Sequence, residues 1–380
     1  MPIITKKDPY LSTQIITYMG NKRKLLSDIK NVIEDLQREL GIHNQHFSTA
    51  DVFSGSGIVS RLLKTMSDVL YTNDIAGYSQ TLNQCFLSTL NSEEVKMLKV
   101  ILNKANQFAY SSETETDVIP WISRHWSPSC ERIKKSDRVY FTRQNGILID
   151  RYMHFIQNGD YPKKYRPFLL SQLLVKSSIH TNTSGQFSAF YKDHNGVGKY
   201  GGDKEIDLHR ITKLIELEMP VLSNNPCDVY ISRMDALDWV KTIPKVDVMY
   251  LDPPYNKHSY ATYYFMLDII NDWDTEIDIP NTNRGQPKNW LKSDYNSTTK
   301  AVTCFTEMYN HIKAKFVILS YNNKGIIPIK TLEKILSTRG KVLTYPVNHK
   351  TYNRMKGIAS YKRVGEWEDV KEFIWVVDMR

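Results

Sequence analysis

The 380-residue sequence contains few of the residues and runs that mark several protein classes. Its cysteines, Cys85, Cys130, Cys227 and Cys304, form no CxxC pair, which argues against a zinc site and a disulfide framework. We expect them to be reduced, buried thiols. No run approaches the roughly 18 to 20 uncharged apolar residues that span a bilayer, and the start lacks an apolar signal core. We therefore expect a soluble, cytoplasmic protein with no membrane partner.

Signatures of metal sites and hydrolases are also missing. The histidines have no HExxH or comparable ligand spacing, and the chain has no GxSxG elbow. The glycine turn FSGSG (53–57) lacks the spacing of GxGxxG and of a phosphate loop. The sequence therefore predicts no metal and no phosphate site.

The sequence does carry an excess of positive charge. Lysine and arginine total 50 against 41 acidic residues, which gives a formal net charge of +9. This balance favours a polyanionic partner, although many basic proteins bind no nucleic acid. Charge alone leaves the nature of the partner open.

The order of predicted elements indicates an α/β fold with a doubly wound, mostly parallel sheet. Residues 48–74 contain a strand to Phe53, a small-residue turn, a helix from near Ile58 and a strand ending at Asp74. Further β-rich runs occur at CDVYIS, VDVMYL and KFVILS, and EFIWVVD supplies a closing strand. We also predict a short strand at IITYMG, before a helix that Gly41 stops.

The alternation is lost between residues 95 and 220, where aromatic and basic residues interleave. We interpret this region as an inserted, mainly helical recognition domain, with residues 1–94 and 221–380 forming the catalytic domain. A second polar stretch, 271–300, is predicted to be a long, mobile loop near the active site.

Two features at the predicted sheet edge indicate a nucleotide-like cofactor. Gly55 and Gly57 lie where a strand passes into a helix, and glycine lets a ligand approach the backbone closely. Asp74 follows the next strand, where doubly wound folds often carry an acid that accepts hydrogen bonds from ribose hydroxyls. Each feature alone has an ordinary alternative, a tight turn or a solvated acid.

The segment VMYLDPPY carries the most specific chemistry. Pro253 and Pro254 fix φ and favour extended geometry before them, which holds Asp252 at the carboxyl edge of the sheet. A carboxylate beside a free prolyl carbonyl can accept both hydrogens of an exocyclic amine, while Tyr255 stacks on the attached ring. These contacts require a base outside its duplex. The alternative is that DPPY merely terminates a strand.

Four motifs, taken in order, resemble those of the Dam-like adenine-specific DNA methyltransferases that use S-adenosylmethionine in restriction-modification systems. They are YMGNKRKLL (18–26), DVFSGSG (51–57), YTNDI (71–75) and LDPPY (251–255). NTSGQFSAF (182–190) and VILSYNNKG (317–325) are similar to further segments of that family. The resemblance covers most of the chain and implies a Rossmann-like methyltransferase fold with a target-recognition insertion.

The resemblance implies direct methyl transfer to the 6-amino group of a flipped adenine in double-stranded DNA. It implies a bacterial, archaeal or phage-encoded enzyme and leaves open whether a cognate restriction endonuclease acts on the same site. Methylation of the 4-amino group of cytosine, methylation of RNA and a non-catalytic DNA-binding subunit are the alternatives. The acid in DPPY favours adenine, because the cytosine enzymes commonly have serine there.

The resemblance also assigns residues to the site. The catalytic candidates are Asp252, Pro253, Pro254 and Tyr255. The cofactor candidates are Tyr18, Lys22, Asp51, Phe53, Gly55, Gly57, Asp74, Asp235 and Asp252. Tyr18 stands where the family often has tryptophan.

The DNA-binding candidates are mainly basic side chains with aromatic neighbours. They are Arg23, Lys24, Lys134, Lys135, Arg138, Arg143, Lys163, Lys164, Arg166, Asn182 and Lys192. For Arg23 and Lys24 a solvated helix start is an equal alternative. The segment 352–363 is expected to add contacts to the DNA backbone.

Overall fold

One seven-stranded sheet forms the centre of the fold in the described part of the chain. The computed structural model describes residues 8–41, 46–111, 117–202, 207–257, 259–288, 290, 293–350 and 371–380. Its strands are β1 (Ser48–Asp51), β2 (Val69–Asn73), β3 (Asp228–Ser232), β4 (Val246–Leu251), β5 (Ala314–Asn322), β6 (Lys341–Lys350) and β7 (Lys371–Asp378). The strand order is β3-β2-β1-β4-β5-β7-β6. Strands β1 to β5 pair in parallel and β7 runs antiparallel to β5 and β6, which confirms the predicted doubly wound, mostly parallel sheet.

Helices connect and cover these strands. They are α1 (Pro9–Ser12), α2 (Leu26–Glu39), α3 (Ile58–Lys64), α4 (Gly77–Phe86), α5 (Ser92–Tyr110), α6 (Ile122–His125), α7 (Arg143–Asn158), α8 (Arg166–His180), α9 (Leu208–Thr212), α10 (Ala236–Thr242), α11 (Tyr260–Asp272), α12 (Ala301–His311) and α13 (Ile329–Leu336). Short 3-10 turns occupy Lys22–Leu25, Lys163–Tyr165 and Asp294–Asn296.

Strand β4 shows why the sheet lies in the interior. All six of its residues are buried, as expected for a parallel strand covered on both faces. Val248 and Tyr250 pack into the core beside α2 and α3. Met249 and Leu251 point the other way, into the core beside α10, α12 and α13. This period of two fixes the direction in which the chain leaves β4.

The predicted insertion, residues 95–220, is mainly helical, and this helical region shares its core with α4 and α11, which lie outside it. The cluster that fills it includes Tyr78 and Leu82 of α4, and Tyr264 and Leu267 of α11. Helix α5 also runs through position 95, and its capping box on Asn91 lies before that position. The division at residues 95 and 220 therefore stays a prediction.

Three expectations need correction. Residues 15–20 form no strand, because Ile15 and Ile16 bury their side chains in the helical core rather than against the sheet. Only Cys85 is fully buried, whereas the other three cysteines are partly exposed. The sequence reasoning also missed β6.

The polar stretch predicted as a loop, 271–300, overlaps the last two residues of α11, which ends at Asp272. Its described residues contain little regular structure beyond the short turn Asp294–Asn296. Its mobility stays a prediction, and the segment 352–363 lies outside the described residues. In the described ranges no helix is both long and apolar enough to cross a membrane.

Candidate active site

A cleft opens at the carboxyl ends of β1 and β4, where the chain switches direction across the sheet. From β1 the strand order moves outward through β2 to β3, and from β4 it moves the other way to β5. Ligands of open α/β sheets bind at this kind of switch point. Asp51 at the end of β1 pairs in register with Tyr250 of β4, so Asp252 lies just beyond it.

The cleft brings together most of the predicted cofactor residues. Its lining includes the following members of that set: Tyr18, Lys22, Asp51, Phe53, Gly55, Asp74, Asp235 and Asp252. Pro254 also lines it, whereas Gly57, Pro253 and Tyr255 are not among its lining residues. These side chains come from chain segments far apart in sequence, which the parallel topology gathers at one edge.

The glycine turn is shaped by a close approach at Gly55. This residue has φ of +51°, and a Cβ built on it would lie 2.7 Å from the Tyr18 ring. Its N–H donates to Asp74 Oδ2 at 2.7 Å, and the N–H of Ala76 donates to Oδ1 at 2.9 Å. Burial raises the pKa of the Asp74 carboxyl, while these N–H donors lower it. Asp74 is thus fixed in place by the turn that it faces.

Gly57 serves the fold rather than the cleft surface. It precedes α3 with φ of +75°, and a side chain there would collide with Asn83 of α4. Asp235 likewise has a local structural role, because its Oδ1 accepts from the N–H of Leu237 and caps α10. Asp235 still lines the cleft, so its predicted cofactor contact stays a prediction.

A stack of tyrosines forms one wall of the cleft. The Tyr18 ring lies 5.3 Å from that of Tyr260 and 4.8 Å from that of Tyr264, measured between centroids. The hydroxyl of Tyr264 accepts from the N–H of Met19, and that of Tyr260 donates to the Met19 carbonyl. Sequence reasoning missed both α11 tyrosines, although the tyrosine-rich run after DPPY was a signal for them.

Asp252 forms the charged centre of the cleft with Lys22. Lys22 Nζ lies 3.0 Å from Asp252 Oδ1 and 3.8 Å from Glu372 Oε2. Burial raises the pKa of Asp252 to about 6, although the Lys22 ammonium lowers it. Burial alone would lower the pKa of Lys22, but the two carboxylates raise it above its ordinary value. Glu372 was missed because nothing near it in sequence marks a site.

Tyr255 lies beside this charged group. The Lys22 ammonium is 4.9 Å from the centroid of its ring, and the ring packs edge-on against Tyr321 at 5.9 Å. Gly20, with φ of +75°, leaves the space that the Tyr255 hydroxyl occupies. Residues of the amino-terminal segment and of β5 therefore pack against the DPPY corner. Stacking of Tyr255 on a base stays a prediction.

Two buried carboxylate oxygens in the cleft have neither a hydrogen-bond partner nor an ion-pair partner among the described residues. They are Oδ1 of Asp51 and Oδ1 of Asp268, the latter on α11. Asp51 Oδ2 accepts from the hydroxyl of Ser60 at 2.6 Å. Burial raises the pKa of each carboxyl to about 7. Because orphaned buried acceptors are costly, these atoms mark places where a ligand donor fits. Asp268 was not predicted.

Most of the predicted DNA-binding side chains lie on the surface. The exposed ones are Arg23, Lys24, Lys134, Lys135, Arg143, Lys163, Lys164 and Arg166. Lys192 is half-buried, with its ammonium over the Phe190 ring. Lys164 forms an ion pair with Glu94 at 2.6 Å. Their contact with DNA stays a prediction.

Two further members of the predicted DNA-binding set form hydrogen bonds within the protein, and their contact with DNA stays a prediction. Asn182 is fully buried, and its amide donates to the carbonyls of Val139 and Lys199 and accepts from the N–H of Gly201. Asn182 thus joins separate buried segments of the backbone. The Arg138 guanidinium donates to the carbonyls of His125, Pro280 and Thr282, which ties the long loop to the helical region.

No group of three or more His, Cys, Asp and Glu side chains in the described part of the chain is placed to hold a metal ion. The basis for the site is instead a cleft at a parallel-sheet switch point with an Asp-Pro-Pro-Tyr corner at its edge. Fold and site together define a Rossmann-like methyltransferase. The chain belongs to the D12 class N6 adenine-specific DNA methyltransferase family, whose profile matches residues 18–335.

Curated relatives of this chain are modification enzymes at low identity. Type II methyltransferase M.NlaIII of Neisseria lactamica is 25% identical over 96% of this chain and 99% of its own length. Type II methyltransferase M.CviAII of Paramecium bursaria Chlorella virus 1 is 24% identical over 95% of this chain and 98% of its own length. Modification methylase LlaI of Lactococcus lactis subsp. lactis is 27% identical over 83% of this chain. The matched part covers 47% of the length of that relative, so the chain spans about half of it.

Proposed function

We propose that this protein is a sequence-specific methyltransferase that moves the methyl group of S-adenosylmethionine to the 6-amino group of adenine in duplex DNA. The observation that carries this proposal is the position of Asp252. Its carboxylate lies at the carboxyl end of β4, in the same cleft as Gly55 and Asp74. A methyl acceptor held at Asp252 would therefore face a ligand held at the glycine turn.

The charge of the cleft suits a cationic cofactor. Its lining has one lysine, Lys22, among five aspartates: Asp51, Asp74, Asp235, Asp252 and Asp268. S-adenosylmethionine carries a sulfonium, an ammonium and ribose hydroxyls, all of which carboxylates stabilise. A phosphate-bearing cofactor would be repelled by the same residues. The unpartnered Oδ1 atoms of Asp51 and Asp268 offer acceptors for such donors.

The protein would act on the acceptor amine by orientation. Asp252 and the Pro253 carbonyl accept the two hydrogens of the amine and draw its lone pair out of conjugation with the purine. Tyr255 stacks on the ring and fixes its plane. S-adenosylmethionine, when bound, would supply the electrophilic methyl group that this lone pair attacks. Because the amine is the nucleophile, the enzyme forms no covalent intermediate, and positioning provides most of the acceleration.

Asp252 also has a role after the methyl group has moved. The alkylated amine carries one extra proton and a positive charge, both of which must be removed to give the neutral product. The Asp252 carboxylate is in hydrogen-bonding range of that nitrogen in the proposed pose and can take the proton. Its pKa of about 6 makes it a stronger base than an ordinary aspartate, yet leaves it ionised at neutral pH.

Access to the amine requires that adenine leave the duplex. The Watson–Crick edge and ring face are both occupied inside the base stack, so a flipped nucleotide is needed. Exposed basic residues of the helical region, Lys134, Lys135 and Arg143 among them, are candidates to bind the flanking phosphates. They would hold the duplex while the base enters the cleft.

The place of the enzyme in a restriction-modification system is supported by the names of its relatives. One is a modification methylase and two are type II methyltransferases. We propose that this chain is the modification enzyme of a restriction-modification system, with a cognate restriction endonuclease acting on the same site.

The decisive experiment identifies the methylated nucleoside. The protein is incubated with mixed duplex DNA and S-adenosylmethionine labelled in its methyl group, and the DNA is digested to nucleosides for mass spectrometry. We expect labelled 6-methyladenine, and single-molecule sequencing then locates the recognition sequence. Product as 4-methylcytosine alone would contradict the adenine assignment. Binding of DNA without any product would favour the non-catalytic alternative, and product on RNA alone would favour an RNA enzyme.

A further inference from the structure

A buried carboxylate next to the catalytic corner has no role in the chemistry described so far. Glu372 lies at the start of β7, near the carboxyl end of the chain, and is 8% exposed. Acidic side chains are rarely this buried unless they are paired. Its Oε2 atom faces Lys22 Nζ at 3.8 Å.

Lys22 therefore lies between two carboxylates rather than opposite one. Its ammonium is 3.0 Å from Asp252 and is itself buried, with the Tyr255 ring against it. Lys22 belongs to the 3-10 turn Lys22–Leu25, while Asp252 follows β4 and Glu372 is the second residue of β7. Three elements thus each contribute one charge to a single buried group.

The sum of these charges matters for the reaction. The charges of Asp252 and Lys22 alone would sum to zero, so the lysine would cancel much of the field of the catalytic carboxylate. Glu372 brings the net charge of the three groups to −1 beside the reacting centre. In a buried site such a charge interacts strongly, because the effective dielectric is far below that of water. A cationic donor and an amine that gains positive charge are both stabilised by it.

We propose that Glu372 is a positioning residue for methyl transfer, which holds Lys22 and leaves the catalytic corner with a net negative charge. The proposal rests on the proposed function, since it assumes that Asp252 receives the acceptor amine. It separates two roles for Lys22. The lysine fixes the orientation of Asp252 at 3.0 Å, and Glu372 prevents that ion pair from neutralising the site.

Other ionisable groups also face Asp252, and the test has to allow for them. Apart from Lys22 and Glu372, they are Asp51 of β1, Tyr250 of β4, Tyr255 of the DPPY corner, Tyr260 of α11 and Tyr321 of β5. Burial raises the pKa of each of these tyrosines, so they stay neutral through the range where Asp252 titrates. Burial raises the pKa of Asp51 to about 7, and this residue is present in wild type and in every variant of the test.

The test compares full-length wild type with Glu372→Gln in single-turnover methylation across pH. Gln keeps the size of the side chain and removes its charge. We expect the plateau rate to fall about tenfold or more, with little change in DNA affinity. Since the Glu372 charge raises the pKa of Asp252, its loss should move the acid limb of the profile to lower pH. Glu34→Gln, an exposed site on α2, is the matched control and should match wild type.

Two further variants separate this role from simple packing. Glu372→Asp keeps the charge at a greater distance, so its rate should lie between those of wild type and Glu372→Gln. In a Lys22→Met background, removal of Glu372 should have a much smaller effect, because its partner is already gone. Equal losses in Glu372→Asp and Glu372→Gln, or an unmoved acid limb in Glu372→Gln, would overturn the proposal. Wild type that makes no 6-methyladenine would instead contradict the proposed function.

Discussion

Asp252 is the residue on which the proposed reaction depends most directly, and its surroundings make a substitution there interpretable. In Asp252→Ala, Lys22 still has Glu372 as a partner, so no isolated buried cation is created. We expect the rate of methyl transfer to fall by at least about 100-fold while DNA affinity stays within a few fold. Single-turnover rates and DNA-binding titrations measure the two effects.

The control for that substitution is Asp238→Ala, which removes an exposed carboxylate from α10. It should retain the wild-type rate. Wild-type activity in Asp252→Ala would contradict the mechanism. A parallel loss of DNA affinity would mean that the carboxylate supports binding of the duplex rather than the chemical step.

The pH dependence of the wild-type rate follows from the same residue. Burial raises the pKa of Asp252 to about 6, and the proposed mechanism needs the ionised form. The rate should therefore be constant above that pKa and decrease about tenfold for each pH unit below it. Single-turnover rates with saturating cofactor and DNA, in buffers of constant ionic strength, measure this limb. A rate that stays constant down to the pKa of an ordinary aspartate would contradict the proposal that the reaction needs the ionised carboxylate of a buried Asp252.

At the scale of elements, the turn from β1 into α3 offers a test with a matched glycine. Gly55 and Gly41 both have positive φ, but only Gly55 has a side chain packed against the position of its missing Cβ. Alanine at either site should cost about 1–2 kcal/mol of stability through backbone strain. Gly55→Ala should also displace Tyr18 and weaken S-adenosylmethionine binding about tenfold or more, since the cleft wall moves.

Thermal unfolding and calorimetric titration with S-adenosylmethionine separate these two effects. Gly41→Ala should lose stability yet bind the cofactor as wild type does. Equal cofactor affinity in both variants would show that the approach of Tyr18 to Gly55 does not shape the cofactor site.

The elements also show which parts of the structure local sequence determines. The strands around the glycine turn and DPPY were predictable because burial on both faces gives continuous β-rich runs ending in small or acidic residues. IITYMG has the same local character, but its apolar residues are buried by helices that come much later in the chain. The interior hydrogen bonds of Asn182 were likewise not predictable, because a polar side chain that joins buried backbone segments looks like a surface contact in sequence.

At the scale of the whole molecule, the site depends on contacts between distant parts of the chain. Lys22 comes from the amino-terminal segment, Asp252 from the centre of the sheet and Glu372 from its antiparallel strand β7. No local pattern predicts this group, because the pairing of β7 with β5 is what brings Glu372 to Lys22. The motif order identifies the catalytic corner, whereas the residues that set its charge require the three-dimensional structure.

The basic surface of the helical region gives the last prediction. Lys134 and Lys135 are exposed and have been proposed above as phosphate contacts. Each phosphate contact releases condensed counterions, so the slope of log affinity against log salt should become shallower by about 0.9 per lysine removed. Lys134→Ala combined with Lys135→Ala should therefore weaken DNA binding at low salt and reduce the slope by roughly 2. The rate of methyl transfer at saturating DNA should stay near wild type, because neither side chain lines the cleft.

The matched control removes two exposed lysines from α13, Lys330 and Lys334, which leaves the net charge equal to that of the first variant. If affinity followed net charge alone, both double variants would weaken binding equally, and the proposal that the helical region binds the DNA would be contradicted. If the helical region holds the duplex, only the Lys134 and Lys135 variant should show the shallower slope of log affinity against log salt. Fluorescence anisotropy with a labelled duplex at several salt concentrations distinguishes these outcomes, because it reports the number of phosphate contacts rather than affinity at one condition.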